Sequence, residues 1–371
     1  MVNRNYLLVS LITIFISQFI SVTARAKFVG LLPNDAPQEI IQQGIDEFSR
    51  VSSPLDNIII NKININLIDH PDHNVVRTYQ RKGRLIIEIS SGFSFLVESL
   101  AIAYAIEQHL NINGYGVDFT KHMFETYETD KLIPVKSPFT FGDIPATDLE
   151  RLGRDEIFGL NVHKFYLIYM WYTLAHEVGH QVLKHEKKSA KSLKQQREYE
   201  READTWANKV FIKLGIPPAS GFPILYYWYF YDQFSVKNEL SRTHPSELNR
   251  FKEMLESTID NFEEWSANSA IPKDQLEDML HSSYKALKLV KNDISKQLNF
   301  DSSILSSELF KKCDGGLKQY CIEACVEQSH LLKMCEEKVC VSKLEVNVRK
   351  LDCFEIASEF IERRNEIKLI N

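Results

Sequence analysis

The sequence of 371 residues predicts an α+β protein whose C-terminal region is mainly helical. Two observations predict this fold class. Residues Asn57–Ser91 contain runs of β-branched residues with partial alternation, which is typical of strands. Asn161–Lys188 and Leu193–Leu214 carry apolar residues at helical spacing, and charged amphipathic stretches follow from Leu248 onward. We therefore expect strands first and helices afterwards.

The strand region predicts a small antiparallel sheet. Asn57–Ile68 reads "NIIINKININLI", and the next two runs, "VVRTY" and "RLIIEIS", flank a "QRKG" turn, as in a hairpin. Phe93–Leu110 predicts a helix, and residues 111–149 predict a long loop region because they are rich in Gly, Pro, Asp and Thr. The aromatic segment Gly221–Phe234 is either a core helix or the wall of a substrate cleft or partner-docking surface.

The first 26 residues differ in composition from the rest. A basic residue, Arg4, precedes an apolar run over residues 6–20, and Ala24-Arg25-Ala26 has the small-x-small pattern of a cleavage site. This pattern predicts a cleavable signal peptide over residues 1–26, and hence a secreted or periplasmic protein. The alternative is a membrane anchor formed by residues 6–20, although that run is shorter than the ~20 residues of a spanning helix. We expect no stable membrane span in the mature chain.

The cysteines agree with export. All 6 cysteines of the chain lie in its C-terminal tail. An even number in a compact segment of an exported protein predicts disulfide bonds, whose pairing the sequence does not fix. The candidates are Cys313, Cys321, Cys325, Cys335, Cys340 and Cys353. The formal net charge of −6, without a dense basic stripe, argues against nucleic-acid binding.

The segment "HEVGH" carries the strongest chemical signal. On a helix, His176 and His180 are four residues apart and lie on one face, so both imidazoles can bind one metal ion. Glu177 lies beside the expected metal position, where its carboxylate can act as a general base on a water molecule. Gly179 costs about 1 kcal/mol inside a helix, but its lack of a side chain lets another segment approach closely.

A catalytic zinc ion needs a third protein ligand, and the segment "REYEREAD" offers candidates. Glu200 is the expected ligand, and Asp204, one turn later, is expected to hold the other ring nitrogen of a ligand histidine. Glu198 and Glu202 are the alternatives, and otherwise belong to a solvated charged face. His185 is expected to be a cation at the helix C-terminus rather than a ligand.

Three segments occur in order between Trp171 and Arg250: "HEVGHQVLKH", "EREAD" and "THPSELNR". In these segments the sequence resembles the gluzincin peptidases of the CaaX prenyl protease and HtpX heat-shock protease type. The resemblance implies a zincin-like fold with active-site helices. It also implies one zinc ion per chain. The single apolar segment and the cysteine-bearing tail depart from the family pattern, so the membrane substrates of that family are not carried over.

The resemblance also implies roles for individual residues. It implies zinc bound by His176, His180 and Glu200, with Glu177 as the general base. It implies a site role for His244, and by its position in the last motif it points to Arg250 as well.

His244 keeps three interpretations. It stabilises the oxyanion of the tetrahedral intermediate, or it occupies the open position of the metal and holds the enzyme latent, or it is a surface residue before a turn-forming proline.

The sequence therefore predicts a secreted zinc metalloendopeptidase that hydrolyses peptide bonds of a protein or peptide substrate. We expect residues 27–250 to form the peptidase domain, with substrate adding as a strand beside Arg84–Ser90. Residues 251–371 are expected to form a helical region that contains the disulfides and is available to a protein partner. Two other functions use the same residues: a protein-binding or chaperone-like factor on a peptidase scaffold, and a zinc hydrolase of small amides or cell-wall peptides.

Overall fold

The computed structural model describes residues 36–73, 75–129, 136–185, 188, 190, 192–231, 244–269 and 271–300. The strands are β1 Ile63–Ile68, β2 Val76–Arg81 and β3 Arg84–Ser90. The helices before the histidine motif are α1 Ala36–Val51, α2 Pro54–Ile60, α3 Ser91–Leu110, α4 Tyr115–Thr129 and α5 Ala146–Leu152. The helix of the motif and those after it are α6 Glu156–Val182, α7 Leu193–Lys213, α8 Phe222–Tyr231, α9 Glu247–Asp260, α10 Phe262–Asn268 and α11 Lys273–Phe300.

The α+β class is confirmed, because a small sheet accompanies a mostly helical structure. The described residues fall into two compact units. The larger contains those within Met1–Ser189, Arg201–Gln233 and Arg250–Val290. The second contains those within Ala190–Glu200, Phe234–Asn249 and Lys291–Asn371. Among the described helices, none combines the length and the apolar character needed to cross a membrane.

The sheet is mixed rather than antiparallel, which corrects the prediction. Its strand order is β1-β3-β2, with β1 parallel and β2 antiparallel to β3. The predicted hairpin is confirmed: β2 and β3 are joined at Lys82 and Gly83, which both have positive φ, as a tight two-residue turn requires. Because β3 is the central strand, Arg84–Ser90 is paired on both sides and has no edge for a substrate strand. That part of the prediction is wrong.

Helix α6 is the central element of the larger unit. It begins where Asp155 caps the backbone N–H groups of Ile157 and Phe158, and most of its residues are buried. A helix that is apolar on nearly all sides belongs in the interior. Helix α3 packs along it, and Trp171 of α6 donates a hydrogen bond to the carbonyl of Ile40 in α1 at 2.8 Å. The histidine motif at its C-terminal end is thus carried by a buried helix.

Three boundaries differ from the sequence prediction. Asn57–Ile60 is helical, since Ser53 caps α2 and Pro54 occupies its first turn, which favours a helix over the strand that the isoleucines suggest. The predicted loop of residues 111–149 contains α4 and α5. Helix α6 ends at Val182 rather than Lys188. The predictions for Phe93–Leu110 and Leu193–Leu214 are confirmed by α3 and α7 to within two residues at each end.

The aromatic segment behaves as core where the structure describes its side chains. In α8, Phe222, Tyr226 and Tyr227 are buried, and the ring of Phe222 lies 4.1 Å from that of Phe251 in α9. The predicted signal peptide and all six cysteines lie outside the described residues.

Candidate metal centre

His176 and His180 lie one turn apart on α6 and are both buried, each with 8% of its surface exposed. Their Nε2 atoms are 3.1 Å apart and face each other. The Nδ1 atom of each ring lies within hydrogen-bond distance of a different residue, Asp204 for His176 and His185 for His180. The two imidazoles therefore direct the same nitrogen toward one point, as expected from the four-residue spacing.

Glu200 completes the group. One ligand atom from each of His176, His180 and Glu200 lies within 4.8 Å of the others. Glu200 belongs to α7 and its side chain is 14% exposed. Among the described residues this is the group of three whose atoms could share one metal ion. Glu198, an alternative third ligand, is exposed and is not part of the group.

His176 is held by a buried ion pair. Its Nδ1 lies 2.8 Å from Asp204 Oδ1, as predicted for that aspartate. Arg250 of α9 donates to both carboxylate oxygens, with Nε 2.7 Å from Oδ2 and Nη2 2.8 Å from Oδ1. Burial alone would raise the pKa of Asp204, but Arg250 and His176 together bring the pKa well below its usual range. Asp204 is therefore ionised and accepts a hydrogen bond from His176 Nδ1–H.

His180 is held by a second network. Its Nδ1 lies 2.9 Å from His185 Nδ1, and His185 Nε2 lies 2.8 Å from Glu202 Oε2. The prediction that His185 is a helix-terminal cation is wrong: the residue is 6% exposed, and burial lowers its pKa although Glu202 opposes the shift. Glu202 is partly exposed, with 43% of its side chain accessible, in agreement with a solvated face, and its carboxylate also accepts this hydrogen bond.

Spacing rules do not detect this second network in the sequence. His185 follows His180 by five residues, beyond the end of the helix, where helical periodicity no longer applies. Lys184 adopts φ +60°, the left-handed conformation common just after a helix C-terminus, and this turn returns the chain toward α6. Such a conformation is uncommon in a residue other than glycine, so the sequence did not indicate it.

The donor set could hold a metal ion. Since Asp204 fixes the proton of His176 on Nδ1, the Nε2 of that ring carries a lone pair and faces Nε2 of His180. Two nitrogens bound tetrahedrally to zinc at about 2.0–2.1 Å are about 3.3 Å apart, close to the 3.1 Å observed here. Two imidazoles and one carboxylate are a ligand set that zinc accepts.

Gly179 brings α6 and α7 into close contact at the site. A Cβ atom on this residue would lie 3.0 Å from the carbonyl oxygen of Ala203 and 3.2 Å from its Cα. Ala203 directly precedes Asp204 in α7, one turn after Glu200. The absence of a side chain at Gly179 therefore allows the close approach of the helix that carries these two carboxylates.

Glu177 and His244 are the two predicted catalytic residues. Glu177 is half-buried on α6, beside His176 and outside the three-residue group. His244 Nε2 lies 3.2 Å from Glu200 Oε2, and its side chain is 54% exposed. The imidazole therefore contacts the carboxylate that is the third member of the group.

Strand β2 lies next to the C-terminal end of α6. Gln181, which follows His180, donates hydrogen bonds to the Thr78 hydroxyl and, at 3.4 Å, to the Tyr79 carbonyl. Within the described residues no strand pairs with the other side of β2, so it is an edge strand. The free edge of the sheet is thus connected to the helix of the histidines.

Residues 143–266 match the family model Peptidase U49. This match covers α5 to α9, most of α10 and every residue of the two histidine networks, and it supports assignment of the chain as a peptidase, a hydrolase. No curated protein and no solved structure matches the chain.

Proposed function

We propose that this protein is a zinc-dependent metalloendopeptidase that cleaves protein or peptide substrates. The observation that carries the proposal is the convergence of His176, His180 and Glu200 within 4.8 Å, inside the segment that matches a peptidase family. The order of the motifs further supports a site like that of the CaaX prenyl and HtpX type of gluzincins. We also propose export, for which the N-terminal apolar segment and the clustered cysteines are the support.

When bound, zinc polarises the scissile carbonyl and lowers the pKa of a water molecule to about 7. Glu177, one residue beyond the first ligand, takes the proton of the attacking water and delivers it to the leaving amine. Asp204 and Arg250 keep the proton of His176 on Nδ1, so that Nε2 is available as a ligand.

The substrate would bind along the free edge of β2. An extended peptide adds to an edge strand through main-chain hydrogen bonds, which need no particular side chains. Gln181 connects this strand to α6 directly after His180, so a peptide on this edge would pass near the histidines. The edge of β2 replaces the Arg84–Ser90 segment as the proposed position.

Replacement of Glu177 tests the mechanism. Glu177→Gln should leave the zinc content unchanged and abolish peptide cleavage, since the amide cannot take the proton of water. Cleavage of an unfolded protein and of a peptide library by the full chain, with and without a chelator, measures the effect. Wild-type turnover by Glu177→Gln would refute the mechanism, and chelator-resistant cleavage would refute the metal requirement.

Replacement of Glu200 tests the ligand set. Glu200→Ala should lower zinc affinity strongly, whereas Glu198→Gln should not change it. Metal analysis of the purified variants, together with titration against a chromophoric chelator, gives stoichiometry and affinity. Unchanged binding by Glu200→Ala would point to another third ligand.

We propose that His244 stabilises the oxyanion, because its ring reaches the carboxylate of Glu200. His244→Ala should then lower kcat about 10²–10³-fold with zinc affinity unchanged, since removal of one oxyanion donor has an effect of that size. An increase in activity would instead support the latent interpretation, and unchanged activity would support the surface one.

A further inference from the structure

The second ligand histidine is contacted by a residue that lies beyond its own helix. After α6 ends at Val182, the left-handed residue Lys184 turns the chain, and His185 packs against His180 with ring centroids 5.1 Å apart and ring planes at 74°. The two Nδ1 atoms are 2.9 Å apart, a hydrogen-bond distance. The backbone turn therefore places one imidazole edge against the other.

The proton positions along this network follow from Glu202. An ionised carboxylate only accepts hydrogen bonds, so the 2.8 Å contact to Glu202 Oε2 requires a proton on His185 Nε2. In a neutral imidazole the other nitrogen, His185 Nδ1, is then an acceptor. The proton shared with His180 consequently belongs to His180 Nδ1, and His180 Nε2 keeps its lone pair. Each step follows from the donors and acceptors present.

We propose that His185 and Glu202 are positioning residues for the metal site: together they fix the tautomer and the ring orientation of His180, as Asp204 and Arg250 do for His176. The proposal rests on the proposed zinc site. It extends that site by two residues, which act on the metal only through His180. Ligand histidines commonly donate their second ring N–H to a partner, and loss of such a partner typically lowers metal affinity 10–100-fold.

His185 as a direct ligand is a different arrangement. Both ring nitrogens of His185 already face a partner, His180 Nδ1 on one side and Glu202 on the other. The three atoms that converge belong to His176, His180 and Glu200. A metal-bound His185 would need to give up one of its two hydrogen bonds.

The experiment compares His185→Ala, His185→Gln and Glu202→Ala in the full chain. Zinc affinity is measured by chelator competition, and the visible spectrum of the Co²⁺-loaded protein reports the number of ligands. His185→Ala and Glu202→Ala should lower zinc affinity about 10–100-fold, with one zinc still bound at saturation and an unchanged cobalt spectrum. His185→Gln should restore most of the affinity, because its amide offers one acceptor to His180 and one donor to Glu202.

A matched control is Glu47→Ala, which removes another half-exposed carboxylate, on α1, and should not change zinc affinity. If His185→Ala fails to fold, Glu202→Ala and His185→Gln decide the question, since Glu202 is 43% exposed and its loss leaves the core intact. Wild-type affinity in His185→Ala, or equal weakness of His185→Gln and His185→Ala, would overturn the proposal. A loss of cobalt ligands in His185→Ala would do so too, in favour of direct coordination.

These outcomes separate this proposal from the metal site itself. A wild-type protein that binds no stoichiometric zinc, or a Glu200→Ala variant of unchanged affinity, would refute the site. A site that depends on Glu200 but not on His185 or Glu202 would refute the positioning role alone.

Discussion

The two histidines of the candidate metal site are supported in different ways. His176 is held by a charged pair from two other helices, in which Asp204 and Arg250 each have 4% of the side chain exposed. His180 is held by a neutral imidazole from a turn beyond its own helix, and the carboxylate behind it, Glu202, is 43% exposed. A buried charge needs a partner, whereas a half-exposed one can be solvated by water. The first support is therefore part of the fold, and the second is the one proposed to orient His180.

This difference predicts where mutations affect stability and where they affect metal affinity. Loss of a partner in the buried pair leaves an uncompensated charge in the interior. Loss of Glu202 on the His180 side removes a carboxylate that is 43% exposed and leaves no uncompensated charge in the interior. The buried pair should thus dominate the stability of the metal-free protein.

The largest effect is expected for Arg250→Met. Methionine has a similar length but leaves Asp204 as a buried carboxylate without its guanidinium, so we expect the free energy of unfolding to fall by about 3–5 kcal/mol. Chemical denaturation of the metal-free protein, followed by far-UV circular dichroism, measures this change.

The matched control uses the same two helices. Arg201 of α7 and Glu253 of α9 form a partly exposed pair with N and O 3.6 Å apart. Glu253→Gln should change the free energy of unfolding by less than about 1 kcal/mol, as is usual for exposed pairs. If both variants have equally small effects, the buried pair has no special structural role and the contrast between the two supports is lost.

A smaller effect, and of a different kind, is expected for Gly179→Ala, which changes the distance between the helices that carry the ligands. The new Cβ would lie 3.0 Å from a backbone oxygen of α7, so α6 and α7 must separate by a few tenths of an ångström. Overpacking of this kind costs about 1–3 kcal/mol, and the gain in helix propensity offsets about 1 kcal/mol. We expect weaker zinc binding, measured by chelator competition. We also expect the free energy of unfolding to fall by a net amount of about 1 kcal/mol, measured by denaturation.

Gly159→Ala is the control in the same helix, since a Cβ there would meet no atom within 4 Å. This substitution should raise the free energy of unfolding by up to about 1 kcal/mol and leave zinc affinity unchanged. A Gly179→Ala protein that behaves like Gly159→Ala would show that the close contact is not needed for the site.

Much of the site could be predicted from local spacing. His176, His180 and Glu200 follow from four-residue periodicity and the need for a third ligand, and Asp204 follows Glu200 by one turn. A close approach of another segment to Gly179 was also expected from its lack of a side chain, and that segment is α7. The grouping of these residues is predictable because a helix converts sequence spacing into direction without reference to the rest of the chain.

The remaining features depend on where helices end and which strands pair. His185 and Glu202 meet through a left-handed residue, and no residue type in "VLKH" predicts one. The central position of β3 depends on the parallel pairing of β1, which alternation along one strand does not determine. The helical start of "NIIINK" depends on Ser53 and Pro54 before it, whose capping outweighs the β-propensity of the isoleucines.

The smallest effect is expected at Lys184, whose left-handed turn brings His185 to His180. A non-glycine residue in this conformation costs about 1–2 kcal/mol, and glycine recovers it at an entropic cost of about 0.4–1 kcal/mol in the unfolded chain. Lys184→Gly should therefore raise the free energy of unfolding by no more than about 1.6 kcal/mol. Zinc affinity should stay at the wild-type value, because the turn keeps its shape.

Lys82→Gly, at φ +51° in the β2–β3 turn, is the control for the same relief of strain away from the histidines. Another outcome is that both variants show the same rise in the free energy of unfolding while only Lys184→Gly loses zinc affinity. In that case the orientation of His180 depends on the stiffness of the turn as well as on the two hydrogen bonds of His185.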